Sequence, residues 1–201
     1  MSSVVELWVC RSRGRLSALL CLLMLGCASY TGAAHDVQAA SVADDKGWLR
    51  VENVPIFRQR NPKDCGAAAL ASVLGFWGRR ASPAVVEALA NRQPQQGIRA
   101  AELQQIAEQK GLMAFVFYGA FEDLWHELQQ GRPTIVGVAK PYGPERALAH
   151  YEVVVGYHAQ KRRVLTMDPA HGLRENSLEG FLTEWEHTRR LALVVFEPPS
   201  K

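Results

Sequence analysis

The chain has 201 residues and a mass of 22.3 kDa, with 48% hydrophobic and 8% aromatic residues, enough for one domain with a sizeable core. Its 23 basic and 20 acidic side chains give a formal charge of +3 and a pI near 8.7, and no dense Lys/Arg block occurs, which excludes nucleic acid as the main partner. Of the four cysteines, Cys10, Cys21 and Cys27 crowd the N-terminus and Cys65 stands alone beyond them.

The first segment reads as an address. Arg11, Arg13 and Arg15 precede the apolar run LSALLCLLMLG, the charge-then-apolar order of a signal peptide over residues 1–26. Eleven residues rise only about 16 Å as a helix, too little for roughly 30 Å of bilayer hydrocarbon. The run closes on Met24-Leu25-Gly26-Cys27, which resembles the lipobox of bacterial lipoproteins and implies Cys27 as the lipidated residue. Ordinary cleavage near Gly32-Ala33-Ala34 and an uncleaved anchor are the alternatives; lipidation and ordinary cleavage both export the chain. Ala28 after Cys27, by analogy with lipoprotein sorting, implies the periplasmic face of the outer membrane in a bacterium with two membranes. Loss of residues 1–26 lowers the charge from +3 to +1, so attraction to an acidic surface loses most of its support. Residues 27–47 are small, polar and aperiodic and read as a flexible tether, with little order expected before Trp48.

From 48 to 199 the pattern is one α+β domain without repeats. Val51 to Phe57 is an extended lead-in, and Asn61-Pro62-Lys63 is a turn. Asp64 is a candidate N-cap for a helix over CGAAALASVLGFWG whose small face permits close packing and which Gly78 ends. A second helix follows from Ser82-Pro83 to Ala90, and a third from Arg99 to Gln109, closed by Gly111. Five β-branched or aromatic runs then read as strands of a largely antiparallel sheet: MAFVFY, PTIVGVA, YEVVVGY, RVLTMD and LALVVF. Helices over about 121–130 and 177–186 interrupt them. Helices first and sheet second is an α+β order rather than a doubly wound one.

With Cys27 lipidated or cleaved away, Cys65 is the sole thiol left, and an internal disulfide is excluded. On local evidence it is equally a small buried core residue or a nucleophile. In the second case it sits where a helix N-terminus stabilises a thiolate. A nucleophile needs a base and a group to orient that base. His35 lies in the tether, His126 and His187 lie on helices among charges, and His158 and His171 occupy loops. His150 opens the strand YEVVVGY, and the next strand ends at Asp168. A hairpin turning within 158–162 brings residue 150 opposite 168–170. Taken singly, His150 is a strand-end histidine and Asp168 the turn residue of an Asp-Pro pair. Taken together with a helix-start cysteine, they follow the logic of a Cys-His-Asp peptidase. The histidines lack metal-ligand spacing, and no cofactor is expected.

The stretch from Gln59 to Leu70, QRNPKDCGAAAL, resembles the Q-x4-D-C-G-x-A-x-L signature of the bacteriocin-leader-processing, double-glycine cysteine peptidases, and AHYEVVVGY and DPA resemble that family's histidine and aspartate blocks. The resemblance covers essentially all of 48–199. It implies a papain-like fold, with Cys65 as nucleophile, His150 as base and acid, Asp168 as its orienter and Gln59 as oxyanion donor. It also implies a peptide or protein substrate cut after Gly-Gly. Many relatives are domains of ATP-driven exporters, but this sequence contains no G-x4-G-K-[ST] phosphate loop, so this chain is not expected to bind ATP. The loops at Asn91–Gly97 and Lys140–Ala149 are candidate cleft walls. A thiol amidase or peptidyl transferase, and a peptide-binding assembly lipoprotein without turnover, are the competing readings.

Overall fold

A computed structural model describes residues 34–90, 97–141 and 147–199. The signal segment and Cys27 lie outside the described residues. No helix among the described residues is long and apolar enough to cross a membrane.

The elements run β1 (His35–Asp36), α1 (Ala39–Asp44), β2 (Trp48–Arg50), α2 (Cys65–Phe76), α3 (Pro83–Leu89), α4 (Ala100–Gln109), β3 (Met113–Tyr118), α5 (Phe121–Gln129), β4 (Thr134–Pro141), β5 (Ala147–His158), β6 (Arg163–Asp168), β7 (Gly172–Ser177), α6 (Leu178–Glu186) and β8 (Leu191–Phe196). The strands form one antiparallel sheet in the order β1-β7-β6-β5-β4-β8-β3, with β2 added against β5. This is the α+β, papain-like arrangement expected from the sequence.

Strand alternation divides the core in two. Ile135, Val153, Val155, Leu193 and Val195 face α2 and α4, packing with Leu70, Val73, Leu103 and Ile106. Their neighbours Val136, Val154 and Ala192 face the other way, toward Leu124 and Leu128 of α5 and Phe181 and Trp185 of α6. Helix α2 is buried over ten of its twelve residues, which its Gly/Ala sequence makes possible. It stops at Gly78, whose φ of +68° is a left-handed conformation that a glycine adopts without strain. Ser82 caps α3 by accepting from the Val85 N–H at 3.3 Å.

The tether expected over 27–47 is corrected in its described part. His35 and Asp36 pair with Glu175 and Arg174 of β7, and Val42 of α1 is 4% exposed in the core. Asp45 binds Lys161 at 2.5 Å and His158 at 3.3 Å. The segment therefore straps itself across the sheet. Its partner β7, GLRENS, is polar and alternates only weakly in burial, so neither strand carries an apolar signal. His158, expected in a loop, ends β5 and is 2% exposed. The lead-in 51–57 joins the sheet through one bond, Val51 N–H to Val155 O at 2.8 Å.

Candidate active site

Cys65 is the first residue of α2, free and 5% exposed. The turn before it is closed by Asp64, whose carboxylate accepts from the Asn61 N–H and side-chain amide, both at 3.0 Å. Asp64 is thus the N-cap by position, but the bonds of its side chain that close this turn run backward rather than into the helix. Gly66 follows because space is short: a Cβ there would lie 3.2 Å from the Tyr151 ring. This contact sets the start of α2 against β5.

Strand β5 carries three consecutive residues into the site. In the β5–β6 hairpin Val153 faces Met167 and Val154 faces Thr166, and that register continued puts residue 150 across from 170, as the sequence predicts. His150 Nε2 lies 2.7 Å from Asp168 Oδ1, with the two side chains 5% and 0% exposed. Nε2 is thereby committed, and Nδ1 is the ring nitrogen left to act on Cys65. Asp168 Oδ1 also accepts from the Ala170 N–H at 2.7 Å. Gln59 is fastened to the same corner, its N–H donating to Pro169 O at 3.0 Å, and its Oε1 is buried without a hydrogen bond. The structure therefore brings together Cys65, His150 and Asp168, and holds the Gln59 backbone beside the residue that follows Asp168.

The electrostatics favour a charge-separated pair. Burial opposes a Cys65 thiolate, but the hydrogen bond and charge of the His150 ring and the N–H groups of Tyr151 and Gly66 outweigh it, and the thiol lies below its ordinary range. For His150, burial disfavours the imidazolium, yet bonds to Asp168 and Cys65 and the charges of Asp168 and Glu152 push it up to about 10. Burial likewise opposes the Asp168 carboxylate, and His150 and the Ala170 N–H hold it down at about 2.

Beneath the dyad lies a charge cluster not foreseen from sequence. Lys140 Nζ is 2.7 Å from Glu152 Oε1 and 2.6 Å from Glu184 Oε2, all three side chains at most 6% exposed. Burial would discharge the lysine, but the two carboxylates hold its pKa well above the ordinary value. Glu152 interrupts the apolar run of β5, and a charge within such a run is the signal that could have found it; Lys140, expected to open a loop, instead lies buried near the end of β4. His150, Glu152 and Asp168 bring donor atoms within 4.8 Å of one another. The Lys140 ammonium already pairs with Glu152, and His150 itself with Asp168, so the group reads as an ion network rather than a metal centre. Of the two candidate cleft walls, 91–96 and 142–146 lie outside the described residues.

A family model described as the Peptidase C39 family matches residues 53–199. The peptidase domain of Streptococcus ComA, a bi-functional ABC transporter involved in a quorum-sensing pathway, is 27% identical, with 73% of this chain and 100% of that domain covered and a TM-score of 0.61. A double-glycine-motif protease from an AMS/PCAT transporter, solved in complex with the leader peptide, shares 22% identity over 74% of this chain and 94% of its own, at a TM-score of 0.59. A C39-like peptidase from Bacillus anthracis shares 16% over 76% of this chain and 99% of its own, at 0.61. The last two are likenesses of fold. The search of curated proteins finds no match.

Proposed function

The chain belongs to the peptidase C39 family and is a cysteine-type peptidase, and from that premise we propose that it cuts a peptide after a Gly-Gly pair through Cys65, His150 and Asp168. The observation that carries this reading is the His150 ring held by a buried carboxylate at 2.7 Å, with the pKa of the helix-start thiol lowered by that ring's charge. The Cys65 thiolate attacks the peptide carbonyl, forming a C–S bond, while the oxyanion is held by the Gln59 side-chain amide and the Cys65 N–H. His150 gives its Nδ1 proton to the departing amine as the C–N bond breaks. It then takes a proton from water, whose oxygen attacks the thioester, and C–S cleavage restores the thiolate. The test is a synthetic peptide with Gly-Gly before its scissile bond: cleavage after the second glycine supports the substrate class, and an intact peptide overturns it.

A thiolate–imidazolium pair also has a signature independent of substrate. Iodoacetamide labelling of the Cys65 peptide, followed by mass spectrometry across pH, is expected to persist below the ordinary thiol range of about 8.5. The sign follows from the lowered Cys65 and raised His150, since the reactive anion survives as pH falls until the thiolate itself is protonated. Labelling that tracks an ordinary thiol would instead favour the peptide-binding, non-catalytic reading.

The N-terminal sequence supports export and a lipid anchor at Cys27, with the domain at the periplasmic face of the outer membrane. Labelled palmitate is expected to enter the wild-type protein in cells and not Cys27→Ser. Equal incorporation in both would remove Cys27 as the acceptor.

A further inference from the structure

Asp168 has two oxygens with unequal surroundings. Oδ1 accepts from His150 Nε2 and the Ala170 N–H, each at 2.7 Å. Oδ2 is buried and has no hydrogen-bond partner. A carboxylate at 0% exposure needs more than one bonded oxygen to stay ionised and aimed. The side chain that answers Oδ2 is Arg174 of β7, whose Nη1 lies 3.8 Å away. That guanidinium is held from the other side by the N-terminal strap. Its Nη2 donates to the Ala34 carbonyl, and its Nε stands 3.2 Å from Asp36 Oδ1. Asp36 is also the residue that pairs with Arg174 across the β1–β7 ladder. One side chain, 18% exposed, thus touches both the strap and the carboxylate behind His150.

We propose that Arg174 is a positioning residue for the peptidase reaction and that residues 34–36 act on the site through it. The inference rests on the Cys65–His150–Asp168 reading above. Docking β1 turns the Arg174 fork so that Nη1 faces Oδ2, and this keeps the Asp168 carboxylate in line with Nε2. Other charged groups around the dyad are Lys140 of β4, Glu152 of β5, Glu184 of α6 and Arg58, whose Nη2 donates to Ala170 O at 2.5 Å. Of these, Lys140 acts on Asp168 through its charge while bound to two other carboxylates, and Arg58 is bound to a carbonyl; Arg174 is the cation that lies 3.8 Å from Oδ2.

The experiment reads the pH limb of iodoacetamide labelling at Cys65 in the full chain, beside the thermal midpoint. Arg174→Gln removes the fork that holds Oδ2, so Asp168 turns out of line with Nε2 and holds the imidazolium less well, and the thiolate limb moves to higher pH by about one unit, roughly tenfold less labelling on the acid side. Arg174→Lys keeps the charge and restores part of that loss. Asp36→Ala, at a side chain 71% exposed, moves the limb the same way by roughly threefold and has no further effect in the Arg174→Gln background. A purely structural Arg174 would lower the midpoint and leave the limb in place, which overturns the proposal. Equal effects of Asp36→Ala in both backgrounds overturn it too. If Arg174→Gln does not fold, an unmoved limb in Asp36→Ala overturns it alone. Ordinary-thiol labelling in the wild type counts against the catalytic reading instead.

Discussion

Cys65→Ala is expected to lower turnover of a Gly-Gly peptide by at least about four orders of magnitude while leaving the fold intact. The thiol supplies the only bond to substrate in the proposed reaction, and what remains is the oxyanion pocket and water. The substitution is also structurally mild, because Cys65 is followed by Gly66, Ala67, Ala68 and Ala69, all buried, and an alanine continues that packing. His150→Ala should be as inactive but is a poorer test. It takes from the buried Asp168 carboxylate the partner on Nε2, and breaking a buried pair typically costs up to about 3–5 kcal/mol. Asp168→Asn keeps the shape and loses the charge, so it should weaken rather than abolish cleavage. Peptidase activity in purified Cys65→Ala equal to that of the wild type would sink the mechanism.

Lys140→Met is expected to be strongly destabilising, by about 3–5 kcal/mol. It leaves Glu152 and Glu184, both 1% exposed, facing each other without the ammonium between them. For a domain of this size that corresponds to a fall of roughly 6–20 °C in the thermal midpoint. The companion variant Lys140→Met/Glu152→Met/Glu184→Leu removes all three charges and should recover most of the loss, since a packed apolar group of similar volume is often no worse than a buried ion set. A single variant as stable as the wild type would show that the three side chains do not depend on one another.

The readable parts of the chain were those in which local chemistry and burial agree. The small-residue run from Cys65, the Ser82-Pro83 start and the five apolar runs became α2, α3 and strands because each carries its own period or cap. The hairpin that joins His150 to Asp168 was legible from its turn, but its final register, with residue 150 across from 170, also depends on a β-bulge between Val154 and Gly156 that the sequence does not announce. What remained illegible depends on partners far along the chain. Lys140 meets Glu184 across 44 residues, and nothing local to either residue announces the other. Residues 35–44 have one buried side chain, Val42, and gain their order from an edge strand that is itself polar. Gln59 as an oxyanion donor came from resemblance alone, and its backbone bond to Pro169 is a contact that sequence spacing does not reveal.

The nucleophile and its base belong to different layers of the molecule. Cys65 opens a helix on one side, while His150 and the Tyr151 N–H arrive on a strand more than eighty positions later, and the packing of α2 on β5, with Gly66 close against Tyr151, brings them together. An incompletely assembled chain therefore carries an ordinary sulfhydryl, chemically quiet, and the potent one comes into being with the last long-range docking step. In the proposed reaction, completion of the fold is what arms the thiol, and the appearance of fast alkylation at Cys65 would time that moment during refolding.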